Sequence, residues 1–515
     1  MVELSRARAE LALLEEQARR LLNEFLRVRA AVAMQRAKVD ELIRTRPTAF
    51  NLLPTEILLS ILDLDVRACR HLERKYQLAG VCRRWKDVIF DRPSFWTTIH
   101  VATSPSSIMT HVERSRGALI DIVIETSLWS QSKHLALVPS LDIVSSLAHR
   151  WHRLSIAYLF GFNEGEDESD DTTLAEFIIG RINHLHFPSL KYVAISYCNA
   201  ASLNFLSPTR TPTLEHLELK EFVAKRTDFP LSIALKTLKL DFYRSPVDYP
   251  LFPYLIPTQA LTKLSLSRST ETFSPQPNSI HIPSLKVLEI SCLAKTRRFM
   301  NAIVAPNVEQ FTYTSFDADD PPSVVFRGLR SKFTNVRHLS FYRPKTKSTP
   351  ELLCADAIAL CEAFPGVHHV ELNTDQLSHL FDPTLSNARA RRPIDLWTEL
   401  ESLTLCGLHP KWLEPNQFSA WLVDRQALGL RKLYVKLVHS SEYDGPSESF
   451  DCDFPPLYEI LKENCILEFD NVAGGASLYA SEFSVESGKH IIPVCRAIFT
   501  VYGLAFAAAN HRTYG

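Results

Sequence analysis

Residues Thr213-Leu-Glu-His-Leu-Glu-Leu219 decide the fold, because Leu214, Leu217 and Leu219 are apolar at steps of three and then two. The closing step of two is the period of a half-buried strand, whose side chains alternate between faces. The same spacing recurs at Leu190-x-x-Val193-x-Ile195, Leu235-x-x-Leu238-x-Leu240, Leu261-x-x-Leu264-x-Leu266 and Leu285-x-x-Leu288-x-Ile290. Weaker copies begin at Val308, Val336, Val367, Leu400 and Leu430, so that first positions step by 21 to 33 residues. Trp96-x-x-Ile99-x-Val101, Leu119-x-x-Ile122-x-Ile124 and Trp151-x-x-Leu154-x-Ile156 are earlier candidates. The chain holds 30 prolines against 15 glycines, which suits many short turns between extended segments.

At this period the pattern resembles a leucine-rich repeat, here irregular. Each unit is expected to supply one short parallel strand. No copy carries the Asn that usually closes a leucine-rich turn, so the ladder is expected to be less regular than in the family. Glu351 to Phe364 and Pro415 to Gln426 have apolar residues at helical spacing, and Thr296 to Val304 is a shorter helical return. Ten ordered copies weigh against the competing reading, an unrelated α/β domain with chance strand similarity. Glu164 to Asp171 holds six acidic residues in eight and reads as a solvated loop. The repeat fades after about Tyr443, and residues 443–515 are expected to cap the last open edge.

Residues flanking the core positions of each strand would face a target. They include Tyr192, His216, Glu218, Lys239, His338, Tyr342, His369 and Tyr434. This face is mixed in charge and rich in Ser, Thr and Tyr. It lacks the basic stripe of a nucleic-acid reader, and a protein or peptide target fits it better.

A different pattern precedes the repeat. Asn51-Leu-Leu-Pro-Thr-Glu-Ile-Leu-Leu-Ser-Ile-Leu62 is followed by Leu78-Ala-Gly-Val-Cys-Arg-Arg-Trp-Lys-Asp-Val-Ile89 and Arg92-Pro-Ser-Phe-Trp-Thr-Thr-Ile99. Pro54 suits a helix start, and Glu56 favours the dipole of the first turn. Ile57, Leu58, Ile61 and Leu62 make one wide apolar face. Val81, Cys82, Trp85 and Ile89 make another, and Pro93 stops that helix. Roughly 50 residues of short helix form a marginal core that a partner would stabilise.

These three blocks, in this order, resemble an F-box. The resemblance implies binding to the Skp adaptor of Skp–cullin–F-box ubiquitin ligases, through Leu53, Pro54, Ile57, Leu58, Ile61, Leu62, Val81, Cys82 and Trp85. The link from Asp63 to Gln77 is longer and more charged than is usual. The expected role is therefore a substrate-recognition subunit without bond chemistry of its own, with a cullin scaffold and an unnamed protein target as further partners. The alternative is a non-catalytic scaffold that enters no ligase, in which the small bundle only caps the next domain.

The first 45 residues carry Leu4, Ala7, Leu11, Leu14, Ala18, Leu21, Phe25, Val28, Val32, Gln35, Val39 and Leu42 at alternating steps of three and four. That is a heptad seam, and it predicts a helix near 40 residues, stopped by Pro47. The seam would pair with a second copy as a homodimer or lie on the body of its own chain.

Together these readings predict an α/β protein. A long helix over 1–46 leads to an all-helical F-box over 50–100, an irregular leucine-rich-repeat-like solenoid over 101–442 and a cap over 443–515. Apolar content of 46%, charged content of 22% and a net charge of −1 describe a globular chain without a field for nucleic acid or an anionic membrane. The opening residues do not read as a signal peptide, and the ten cysteines include no Cys-x-x-Cys pair, so a reduced cytoplasmic or nuclear setting is expected. Cys82, Cys354 and Cys361 read as packing residues. Ile491 to Ala509 approaches the length of a membrane span but holds Pro493 and Arg496, so a buried helix is expected. No phosphate loop, nucleophile elbow or His-Glu-x-x-His appears. His184-x-His186 and His368-His369 lack a third ligand at sensible spacing, and Asp319-Asp320-Pro321-Pro322 reads as a turn. No enzyme activity, metal or cofactor is expected.

Overall fold

The computed structural model describes residues 2–45, 53–68, 74–101, 104–125, 134–157, 171–196, 203–222, 234–242, 259–267, 275–293, 295–315, 321–330, 332–342, 350–373, 377–381, 392–406, 415–439 and 461–471. They fall into two compact units, residues 1–123 with 137–146, and residues 124–136 with 147–515.

The first unit opens with α1 (Val2–Thr45), 44 residues of unbroken helix. It continues with α2 (Thr55–Ala68), α3 (Arg74–Ala79) and α4 (Arg83–Asp91), then a tight turn at Pro93–Trp96. β1 (Thr98–His100) and β2 (Ile120–Glu125) pair in parallel, and α5 (Pro105–Arg114) makes the crossover between them. Ser104 caps α5 by accepting from the Ser107 amide. α6 spans His134–Ser145. Leu58, Leu62, Leu78, Ala79, Trp85, Ile89, Phe95 and Trp96 form the module's core. Trp96 sits at its centre, fully buried, and its indole Nε1 donates to the Ile89 carbonyl at 3.0 Å. That bond satisfies the one polar atom of a large apolar ring.

The second unit is a parallel sheet built in chain order. Its strands are β3 (Trp151–Ala157), β4 (Tyr192–Ser196), β5 (His216–Phe222), β6 (Thr237–Phe242), β7 (Lys263–Ser267) and β8 (Val287–Ser291). They continue as β9 (Gln310–Thr314), β10 (His338–Tyr342), β11 (His369–Asn373), β12 (Ser402–Cys406), β13 (Leu433–His439) and β14 (Cys465–Asn471). These twelve strands are hydrogen-bonded neighbours in that order. The helical returns are α7 (Asp171–Ile182), α8 (Thr296–Ala302), α9 (Pro322–Val325), α10 (Pro350–Ala363), α11 (Leu377–Phe381) and α12 (Pro415–Ala427).

Every copy of the apolar spacing read from the sequence places a strand here. The second and third positions are buried from Leu154 and Ile156 through Leu403 and Leu405. Leu430 departs from the pattern and is 40% exposed. The cause is local: Gly429 has φ +71° and the Leu430 amide bonds the Arg425 carbonyl at 3.3 Å, so Leu430 closes α12 and does not enter the core. Leu119 is likewise exposed.

The turns are closed by side chains that stand just before the apolar pattern. Asn307 Nδ2 donates to the Pro283 carbonyl at 2.7 Å, and Asn335 Nδ2 to the Pro306 carbonyl at 2.8 Å. Thr213 and Ser284 hydroxyls do the same to the Pro188 and Leu261 carbonyls. At these four turns a polar residue immediately ahead of the apolar pattern takes the closing role that the absent family Asn would have.

The helices expected over Glu351–Phe364 and Pro415–Gln426 are α10 and α12. The shorter return is α8, which ends at Ala302. Ile303–Val304 then pairs in parallel with Ile280–His281. β14 extends the sheet beyond Tyr443, where the sequence pattern had thinned. Residues 164–170 and 491–509 lie outside the described residues. Among the described residues no helix is long and apolar enough to cross a membrane.

Candidate functional site

Two surfaces carry the residues singled out in the sequence. The first belongs to the helical module. In α2 eight of fourteen residues are apolar, more than one face can bury, and the helix divides them. Leu58 and Leu62, four apart, are closed inside the core, with Leu59 and Val66 packed against it. Ile57, Ile61 and Leu64 follow a neighbouring stripe, turned about 100° from the first. Ile57 is 49% and Leu64 50% exposed, while Ile61 is half-buried. At the start of α4, Val81 is 60% exposed and Cys82 half-buried, whereas Trp85 and Ile89 turn inward.

Of the nine residues expected to meet the adaptor, Pro54, Ile57 and Val81 are exposed, and Leu53, Ile61 and Cys82 are half-buried. Leu58, Leu62 and Trp85 belong to the module's own core, because the centre around Trp96 needs their volume. Leu64 and Tyr76 are outward apolar groups that the sequence reading missed. Leu64 could have been found by continuing the Ile57–Ile61 stripe one further turn. Arg84 donates to the Leu53 carbonyl, which ties the start of α2 to the first turn of α4.

Charged residues of the Asp63 to Gln77 stretch that lie on α2 and α3 also have a structural use. Arg74 grips Asp65 with two hydrogen bonds of 2.7 and 3.1 Å. Lys75 is buried, its Nζ 3.2 Å from the Phe95 carbonyl, 2.5 Å from His111 Nε2 and 4.7 Å from the Trp96 ring centre. Burial pulls Lys75 down to about 8. Burial and the charge of Lys75 pull His111 and His100 down to about 4.

The second surface is the non-core face of the sheet. All eight residues expected to meet a target lie on it, at positions that alternate with the buried ones. Register aligns Tyr192 with His216, Glu218 with Lys239, and His338 with His369. Tyr192, His216, Glu218 and Lys239 form one group over β4 to β6. His338, Tyr342 and His369 form another over β10 and β11, and Tyr434 stands apart on β13.

In the first group the Tyr192 hydroxyl donates to Glu218 Oε2 at 2.9 Å, and Arg153 stacks 4.0 Å from the Tyr192 ring centre. Lys220 and Lys239 approach Glu218 Oε1 at 3.1 and 3.7 Å. Burial opposes ionisation of Glu218, but the two lysines outweigh it and hold its carboxyl below the usual range. Burial and Glu218 push Tyr192 up to about 12.

In the second group, Ser340 Oγ donates to Glu371 Oε2 at 3.2 Å and Cys406 Sγ to Oε1 at 3.3 Å. Burial, and then Glu371, push the Tyr342 phenol and the Cys406 thiol up. A thiol raised in this way is a poor nucleophile. At the N-terminal ends of β10 to β12, Arg337, His338, His368, His369 and Glu399 line an open depression of about 450 Å³. Glu399 accepts from Arg337 at 2.9 Å and lies 3.0 Å from His368 Nε2. The His338 and His369 rings stack at 4.5 Å. Burial and the neighbouring histidines hold His338 below its ordinary value.

Among the described residues no group of three or more His, Cys, Asp or Glu is placed to hold a metal ion. Cys354 and Cys361 are buried, as expected of packing residues.

Residues 50–102 match the F-box-like family. No curated protein matches the chain. The match covers the helical module and ends before the sheet of the second unit. The chain therefore carries an F-box-like domain, the type of domain that marks adaptors of ubiquitin ligase complexes.

Proposed function

We propose that this protein is the substrate-recognition subunit of a Skp–cullin–F-box ubiquitin ligase. The observation that carries the reading is the family match over residues 50–102, joined to an outward apolar stripe on α2 that the module's own core leaves uncovered. Leu53, Pro54, Ile57, Ile61, Leu64 and Val81 would seat on a Skp-type adaptor, and the adaptor on a cullin. The repeat region, read as a leucine-rich-repeat-like solenoid, would hold a protein target by the non-core face of its sheet. The chain would do no bond chemistry. Its contribution is to hold the target close to a ubiquitin-conjugating enzyme, in the cytoplasm or nucleus. α1 would join two copies.

Capture of purified Skp adaptor by the full chain tests this. Ile57→Asp with Val81→Asp is expected to abolish capture. Both side chains are half exposed or more, so thermal stability should move by no more than about 0.5 kcal/mol. Leu53→Ala with Pro54→Ala should weaken capture in the same way. Adaptor that stays bound to both variants, or that never binds the parent chain, removes the ligase reading and leaves the non-catalytic scaffold.

A further inference from the structure

Every described side chain of α1 from Glu3 to Glu41 is exposed. The helix is about 66 Å long at 1.5 Å per residue. Leu4, Leu11, Leu14, Leu21, Phe25, Val28, Val32 and Val39 stand in solvent along one seam. A helix in water is held chiefly by packing of its apolar face and not by propensity. The seam keeps a strict period of 3.5, which fits a partner helix wound around it, whereas a straight helix lying on a flat surface follows 3.6.

We propose that a second copy of this chain covers the α1 seam as a parallel, in-register, two-stranded coiled coil. The proposal rests on the joining of two copies in the reading above and is independent of adaptor binding.

Three features select this arrangement. The first is Gln35, the one polar seam residue. In a parallel, in-register pair the two Gln35 amides meet and can donate to each other. In the antiparallel pair that sets Ala7 against Val39, Gln35 faces Leu11, and an amide is left against an apolar side chain. The second is charge. Residues five apart across the seam face each other in a parallel pair, which sets Glu3 against Arg8 and Glu24 against Arg29. Glu10 against Glu15 is the like-charge exception, and Glu10 is already paired within its own helix with Arg6 at 3.4 Å. The third is shape. Val32 and Val39 fall at the seam position where β-branched residues favour two strands, and Leu14 and Leu21 at the position where Leu does. Ala7 and Ala18 let the backbones approach closely.

The test is the solution mass of the full chain, by light scattering across a tenfold concentration range. The parent is expected at twice the chain mass. Leu14→Glu with Leu21→Glu should return it to one chain mass, with a fall in helical circular dichroism as the unpaired α1 frays and adaptor capture unchanged. Leu14→Cys should cross-link under mild oxidation above the background of the parent cysteines, since residue 14 meets its own copy only in the parallel register. A parent that is monomeric, a trimer or larger assembly, a dimer that survives the double substitution, or a Leu14→Cys chain that gains no cross-link each overturns the proposal. Loss of adaptor capture by Ile57→Asp with Val81→Asp is read separately, so failure of the ligase reading does not mimic failure of the dimer.

Discussion

Lys75, His100 and His111 show how one residue decides the behaviour of its neighbours. A buried ammonium is costly, and here the Phe95 carbonyl, His111 Nε2 and the face of Trp96 offset that cost. Both histidines have folded values near 4, below the unfolded value near 6.5. Above pH 6.5 they are neutral in both states and their contribution is intact. As pH falls from 6.5 towards 4 the unfolded chain takes up protons that the folded chain refuses, and stability is lost. The limiting slope is about 1.4 kcal/mol per pH unit for each histidine, and less for the half-buried His100. The urea midpoint of the module should therefore fall between pH 7 and pH 5. Lys75→Met removes the charge that Lys75 sets against His111. An NMR titration of that variant should place His111 higher than in the parent, and the acid loss should shrink. An unmoved His111 would contradict this account. None of this was visible in the sequence, where Lys75 reads as one more surface charge. Burial is a property of the assembled core, and the pattern around residue 75 gives no hint of it.

At the scale of elements, α2 is a helix with two apolar stripes and one core to fill. Leu58 and Leu62 fill it, while Ile57, Ile61 and Leu64 are left outward. Periodicity marked Ile57, Leu58, Ile61 and Leu62 as one wide apolar face and did not divide it into inward and outward halves. That choice follows from the volume required around Trp96. The turns of the second unit follow the same logic. Their closing residues, Asn307 and Asn335, sit one position ahead of the apolar pattern, and only the backbone path shows which carbonyls they reach. Lys332 is a further case. Its Nζ reaches the Met300, Asn301 and Ile303 carbonyls at 3.2, 2.5 and 3.1 Å, at the C-terminal end of α8. A cation there satisfies carbonyls that no intrahelical amide can reach. Lys332→Met should cost about 1–3 kcal/mol, read as a lower urea midpoint. A change below about 0.5 kcal/mol would show that water serves these carbonyls as well.

At the scale of the molecule, each strand of the second unit pairs only with the strands that precede and follow it in the sheet. Perturbations should therefore spread to neighbours first. Phe311 is buried on β9 and packs against Phe326, Phe333 and Phe364. Phe311→Ala should cost about 3–5 kcal/mol. Hydrogen exchange should speed up over β8 to β10 while β4 and β5 keep their protection. Uniform loss of protection along the sheet would instead mark one cooperative unit. The strand order was legible in the sequence because the repeat recurs in register. β14 was not, because its inward residues are Cys465 and the half-buried Leu467, a weaker signal than the Leu pairs before it.

Local periodicity was enough to establish a long amphipathic helix, a small helical module with too many apolar faces, and a series of parallel strands at near-regular intervals. Each of these depends on side chains a few residues apart, and that spacing is written in the chain. Which side of α2 faces water, why Leu430 leaves the core, how Lys75 comes to be buried and which carbonyls the turn side chains bind were settled only by the folded chain. These depend on groups brought together from distant positions, and on the limited volume available once Trp96 and the strand pairs occupy it.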